Sequence, residues 1–107
     1  MKDQGLTEPH DETVILMPVF VGKPEFAADL ERALGVLQAA SRADAGCVTY
    51  AVMADLDDPS TFVLYEEWTS QEALITHNQE QHVIDFVALA DHLLAEPFRV
   101  QRLRNVV

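Results

Sequence analysis

Two histidines five residues apart, His77 and His82, and one carboxylate set in an apolar run, Glu66, are the side chains best suited to proton chemistry. Histidine is the side chain whose ordinary pKa lies close to neutral pH, so either imidazole can serve as a general base. Glu66, in the run TFVLYEEW, is a carboxylate among apolar neighbours and is read as the group that orients one of them. Tyr65, Trp68 and Phe86 supply aromatic walls for an apolar slot, and Tyr50 supplies a hydrogen-bond donor. Each residue also has a plain structural reading. His77 falls at a helix end, where an imidazolium suits the dipole and the free carbonyls. His82 suits a packing role at the start of the next helix, and the aromatics suit a core. Arg102 could pair with Glu66 and make it purely structural. The separation of the histidines is poor for a zinc pair, and no metal is expected.

The elements that must position these residues are legible in order. Residues 1–12, which include His10 and Asp11, have no periodicity and read as a flexible tail; residues 13–107 form one domain. Thr13 to Val21 is an almost unbroken apolar run and reads as a strand buried on both faces. Pro18 within it cannot donate to a ladder, which predicts a bulge at that point. Pro24 and Glu25 open a helix that carries Phe26, Leu30, Ala33, Leu34 and Leu37 on one face and runs to about Arg42. Ala43 to Gly46 turns the chain. Cys47 to Ala54 is a second strand, with Val48, Tyr50 and Val52 on one face and Cys47, Thr49, Ala51 and Met53 on the other. Asp57-Asp58-Pro59-Ser60 is turn chemistry, and Thr61 to Trp68 is the third strand. Thr69-Ser70-Gln71-Glu72 matches a capping box with Thr69 as the cap. A short helix to about His77, a polar break and a longer helix through Phe86 and Leu93 follow. Phe98 to Val106 is a last strand with Arg99, Arg102 and Arg104.

This βαββαβ order implies an α+β fold of the ferredoxin-like kind, an antiparallel sheet with its helices on one face and strands one and three in the middle. The other face is left apolar, and a homodimer closing sheet against sheet is the simplest cover.

Composition narrows the function classes. The chain has 107 residues, 18 acidic against seven basic, and a formal net charge of −11. Such a field repels nucleic acid and anionic membrane surfaces. No apolar run is long enough to span a bilayer. The single cysteine, Cys47, excludes an internal disulfide and a thiolate zinc cage and reads as a buried small residue. A cytoplasmic protein with no nucleic-acid or membrane partner is expected.

The pattern Gly46-Cys47-Val48-Thr49-Tyr50, then Asp58-Pro59, then Phe62 to Trp68, then Ser70, Ala73-Leu74, His77 and His82, resembles the antibiotic biosynthesis monooxygenase (ABM) domain family of the dimeric α+β-barrel superfamily. The resemblance spans about Val14 to Leu103. It implies a homodimer and a monooxygenase that needs neither metal nor flavin. Such an enzyme would act with O2 on a small phenolic, quinol or polyketide-like aromatic substrate. His77, His82 and Glu66 would be its catalytic residues, and Tyr50, Tyr65, Trp68 and Phe86 would bind the substrate. The haem-degrading branch is not matched: the first strand has no Asn, His77 stands in the place of that branch's Trp, and its ligand position falls near Val87. No cofactor is expected. The same scaffold also carries isomerases of small keto compounds and non-catalytic ligand-binding modules, and both stay open as alternatives.

Overall fold

The computed structural model describes residues 13–107; the tail expected over residues 1–12 lies outside the described residues. The elements run β1 (Val14–Val21), a 3-10 turn (Pro24–Phe26), α1 (Ala27–Ser41), β2 (Cys47–Ala54), β3 (Thr61–Trp68), α2 (Gln71–Asn78), α3 (Gln81–Leu93) and β4 (Arg99–Leu103). The four strands form one antiparallel sheet in the order β2-β3-β1-β4, so the first and third strands are central. The helices cover one face. The ferredoxin-like α+β reading is therefore the observed fold.

The core lies between that face and the helices. Leu16 and Phe20 of β1, Tyr50 of β2 and Phe62, Leu64 and Trp68 of β3 meet Leu30, Leu34 and Leu37 of α1 and Phe86, Ala90 and Leu93 of α3. Strand alternation makes this possible, because residues two apart point to the same side. The opposite parity, with Met17, Val19, Ala51, Val63 and Tyr65, is only half-buried on the uncovered face. Among the described residues no helix is long and apolar enough to cross a membrane.

Three local expectations are corrected. There is no bulge at Pro18: β1 keeps one register against β3 on both sides of it, from Leu16 opposite Glu66 to Val19 opposite Val63, and pairs with β4 without a shift. The missing N–H is tolerated inside the ladder, and the irregularity falls in β2 between Cys47 and Thr49. That bulge re-aims the strand start. Cys47 packs against the core, while Val48 turns outward and is exposed, the reverse of strict alternation. The helix cap is one residue later than read. Ser70 Oγ accepts from the Ala73 amide at 3.1 Å, and the Thr69 amide is occupied with Gly46 O at 2.9 Å.

Candidate active site

The site begins with a turn. After α1 the chain folds back through short hydrogen bonds, the Asp44 amide donating to Ser41 O at 3.0 Å and the Cys47 amide to Asp44 O at 3.2 Å. Gly46 closes the turn with φ of 83°, a conformation that side chains with a Cβ rarely take. A Cβ there would come within 2.5 Å of Ala73 Cβ and 2.8 Å of Thr69 Oγ1. The turn therefore packs directly on the start of α2, and Asp44 projects toward the other end of that helix.

The break between α2 and α3 brings the two histidines back to it. The amide of Gln79 donates to Thr76 O and that of Glu80 to His77 O, both at 3.0 Å, and α3 restarts at Gln81. His77, in the last turn of α2, places Nδ1 at 2.7 Å from Asp44 Oδ2, and His82, in the first turn of α3, places Nε2 at 2.9 Å from the same oxygen. A carboxylate only accepts, so both ring nitrogens donate to it. That fixes the tautomer of His77 with its proton on Nδ1 and a lone pair on Nε2. Asp44 was read only as part of a turn. It takes the orienting place assigned to Glu66.

His77 is enclosed. Its side chain is 4 % exposed, against 22 % for His82. Trp68 lies against it, tilted by 37° with ring centroids 4.3 Å apart, and Tyr50 lies at 5.8 Å. Burial lowers the His77 pKa, and the hydrogen bond and charge of Asp44 partly offset this. The imidazole is thus held neutral and basic rather than as a fixed imidazolium.

His77 faces a cavity of about 490 Å³ between the helix-covered face of the sheet, α2 and α3. Its walls are mostly apolar, with Leu64, Leu74, Phe86 and Phe98 prominent. The polar groups that reach it are few: Tyr50, Glu66, Gln71, Asn78 and Arg102 besides His77. Glu66 is 6 % exposed and accepts from Trp68 Nε1 at 3.0 Å. Burial raises its pKa, with the Trp68 hydrogen bond opposing. It forms no ion pair with Arg102 among the described residues; its partner is Trp68. Burial, followed by the nearby Glu66, pushes the Tyr50 hydroxyl far up, which makes Tyr50 a donor and not a base.

The structure divides the residues singled out in the sequence. His77, Glu66, Tyr50 and Phe86 line one cavity. Trp68 lies behind His77 and supports the ring, fully buried. His82 lines a separate groove between α1 and α3 and reaches the site through the shared Asp44 oxygen and its ring 5.9 Å from that of His77. Tyr65 is on the uncovered sheet face, where its hydroxyl lies at 3.4 Å from Glu67, so it cannot wall this cavity. Cys47 is half-buried and its thiol pKa is raised by burial, which keeps it protonated.

Asp44, His77 and His82 also form a cluster whose ligand atoms all lie within 4.8 Å of one another, so these three could hold a cation. The contacts of 2.7 and 2.9 Å are hydrogen-bond distances. Ligands about 2.0–2.1 Å from a tetrahedral zinc stand roughly 3.3 Å apart. Asp44 Oδ2 would have to draw back from both rings to take a metal, and as it stands the trio is hydrogen-bonded.

Known proteins with this architecture bear on the reading. The family model described as antibiotic biosynthesis monooxygenase matches residues 13–89. A Bacillus subtilis (strain 168) protein named "Putative monooxygenase YcnE" is 30% identical over 89 residues, covering 83% of this chain and 94% of that one. Among solved structures, PA3566 from Pseudomonas aeruginosa superimposes with a TM-score of 0.84 at 30% identity, covering 90% of this chain and 96% of the other. Rv0793 from Mycobacterium tuberculosis gives 0.83 at 26% identity, with 89% and 96% covered. The fold, the matched segment and the relatives agree, and the chain belongs to the antibiotic biosynthesis monooxygenase family.

Proposed function

We propose that this protein is a cofactor-independent monooxygenase that oxidises a small phenolic, quinol or polyketide-like substrate with O2, with His77 as its base. The observation that carries the reading is His77 itself: a buried imidazole with one nitrogen tied to Asp44 and the other left basic, facing an apolar cavity. Membership of a monooxygenase family supplies the reaction class.

The chemistry asks little of the protein. Ground-state O2 reacts slowly with closed-shell organic molecules, but a phenolate or dihydroxyaromatic anion can give up an electron to it. His77 Nε2 takes the phenolic proton. The anion passes one electron to O2, and the resulting radical pair recombines to a carbon-bound peroxide. The peroxide O–O bond breaks with loss of water, leaving one oxygen in the product. For a hydroquinone the sum is quinol plus O2 giving hydroxyquinone plus water, with all four electrons drawn from the substrate. The Tyr50 hydroxyl is a donor for the developing anion. Phe86 and Leu64 keep water from the radical pair.

In this reading His82 and Trp68 are positioning residues. His82 shares the Asp44 oxygen and Trp68 holds the imidazole plane. Tyr65 belongs to a different surface, the half-buried apolar sheet face with Met17, Val19 and Ala51, and we read that face as the contact between two copies of the chain. Light scattering at micromolar concentration then gives twice the chain mass; a monomer rejects the dimer.

Oxygen uptake by chelator-treated protein with a panel of hydroquinones and anthrone-like phenols tests the oxygenase reading. Uptake above that of heat-killed protein, lost in His77→Gln, is the expected result. Rates equal to the heat-killed control across the panel would sink it and favour an isomerase or a binding module on the same scaffold.

A further inference from the structure

We propose that the cavity takes a hydroxyaryl carboxylate, with its phenolic hydroxyl at His77 and its carboxylate on the guanidinium of Arg102. This rests on the reading of His77 as the base and narrows the substrate class from phenols in general to acidic ones.

The argument starts from register. Leu16 of β1 lies opposite Glu66 of β3 on one side and opposite Arg102 of β4 on the other. All three therefore point to the helix-covered face, and all three line the cavity. Strands spaced at about 4.8 Å put the Glu66 and Arg102 backbones roughly 10 Å apart across the floor. Arg102 is the one permanent cation among the lining residues, and Glu66 is the one acid.

Those two do not neutralise each other. Glu66 accepts from Trp68 Nε1 and forms no ion pair with Arg102 among the described residues. Arg102 makes no hydrogen bond or ion pair among the described residues. Other arginines are committed: Arg32 to Asp29, Arg42 to the Tyr50 carbonyl at 2.8 Å, and Arg104 to the Asn105 carbonyl at 3.2 Å. Arg99 points by alternation to the opposite sheet face.

The guanidinium thus offers a planar fork at the edge of an apolar slot, beside Gln71; Glu72 lines the neighbouring groove with it, but among the described residues no carboxylate pairs with it. A carboxylate is the group whose geometry matches that fork with two parallel hydrogen bonds. An apolar ring between the two ends is what the walls of Phe20, Leu64, Phe86 and Val100 accept. The remaining polar end, at His77, calls for a group that gives a proton. A molecule with an acid at one end, a ring in the middle and a hydroxyl at the other satisfies all three. A neutral quinol leaves the arginine without an anion.

The test is calorimetric titration without oxygen, which separates binding from turnover. The probes are 2,5-dihydroxybenzoate, its methyl ester and hydroquinone, against the wild type and the Arg102→Gln, Arg102→Lys and Arg104→Gln variants. Arg102 sits on an exposed strand, so its variants keep the fold. The expected result is that the acid binds the wild type about tenfold or more tightly than its ester, the increment of one charge-assisted pair. Arg102→Gln erases that ratio and leaves ester binding unchanged, Arg102→Lys restores part of it, and Arg104→Gln keeps it whole. Equal affinity for acid and ester, a preference that survives in Arg102→Gln, or no binding of the acid at millimolar concentration would each overturn the proposal. Arg102 would then be a hydrated edge residue. His77-dependent oxygen uptake on hydroquinone with no preference for the acid leaves the oxygenase standing and removes this inference. Acid binding that depends on Arg102, with no uptake on any phenol, does the reverse.

Discussion

The two ends of the cavity are built on different terms. At the inner end, functional groups are held by second residues: His77 by Asp44 and the Trp68 ring, Glu66 by the Trp68 indole N–H. At the outer end, β4 is an exposed edge strand, Arg102 has no partner among the described residues, and Phe98 is held chiefly by its stack on Phe20 at 5.0 Å. Burial does the tuning inside. It pushes the histidine down and the glutamic acid up, so the same desolvation disfavours the charged form of each. No such tuning is needed outside, where an arginine keeps its charge in any environment. On the proposed function, the difference assigns the inner end to proton transfer and the outer end to choosing what enters.

The contrast can be broken most sharply at His77. His77→Gln keeps an amide of similar length against Trp68 and removes the base. Oxygen uptake should fall by about a hundredfold or more, the usual contribution of a positioned general base, while circular dichroism stays that of the wild type. A variant that folds and turns over at half the wild-type rate would show that the inner end is not the base. The acid titration above would be untouched by that result, because it reads the other end.

Asp44→Asn is the next largest effect and carries a sign. Asp44 raises the His77 pKa against the lowering by burial. In the wild type the net result lies below the ordinary value of about 6.5, so the acid limb of the rate profile should fall at a pH lower than free imidazole would give. Removing the carboxylate takes away the opposing influence and moves that limb further to acid. It also frees the tautomer, since Asn presents either an acceptor or a donor to Nδ1. We expect a loss of roughly tenfold to a hundredfold at neutral pH. An acid limb that moves toward higher pH in Asp44→Asn contradicts the assignment.

Asp44 is also where the sequence was least informative. The strands, the helices and their order were written in apolar periodicity, which is why the fold could be read. The candidate set of His77, His82, Glu66, Tyr50, Tyr65, Trp68 and Phe86 rested on residue chemistry and the family resemblance, and the fold brings only His77, Glu66, Tyr50 and Phe86 of it to one cavity. What joins Asp44 to His77 is a tertiary contact across 33 positions, made by a turn whose composition, Ala-Asp-Ala-Gly, says only that the chain reverses. A glycine preceded two positions earlier by an acid was the available signal, and nothing local told it from ordinary turn chemistry. Glu66 was the wrong orienting group because its true partner, Trp68, lies two residues along the same strand face, a neighbour that alternation alone could have named. The slip from Thr69 to Ser70 at the cap has a similar origin, since the Thr69 amide is taken by Gly46.

Gly46→Ala asks how far the inner end depends on that turn. The positive φ costs an alanine on the order of 1–2 kcal/mol, and the new methyl would also meet Ala73 and Thr69. A loss of about 2 kcal/mol or more in urea unfolding is expected, with a drop in uptake larger than stability alone accounts for because Asp44 shifts. A variant as stable as the wild type would mean that α2 yields there, and that Asp44 is held by the histidines and not by the turn.

The smallest effect belongs to the outer end. Phe98→Ala removes one ring of the stack with Phe20 and one apolar wall of the cavity, at a residue 38% exposed. A half-exposed aromatic pair contributes about 0.5–1.5 kcal/mol, so the melting temperature should fall by only a few degrees in a domain of this size. The acid limb of the rate profile should not move, because the charged groups that act on His77, namely Asp44, His82 and Glu80, are unchanged. Substrate affinity should weaken by a few fold for acid and ester alike, since the ring packs on the part they share. If Phe98→Ala instead shifts the acid limb, the two ends are coupled through the cavity, and the division between proton transfer and selection fails.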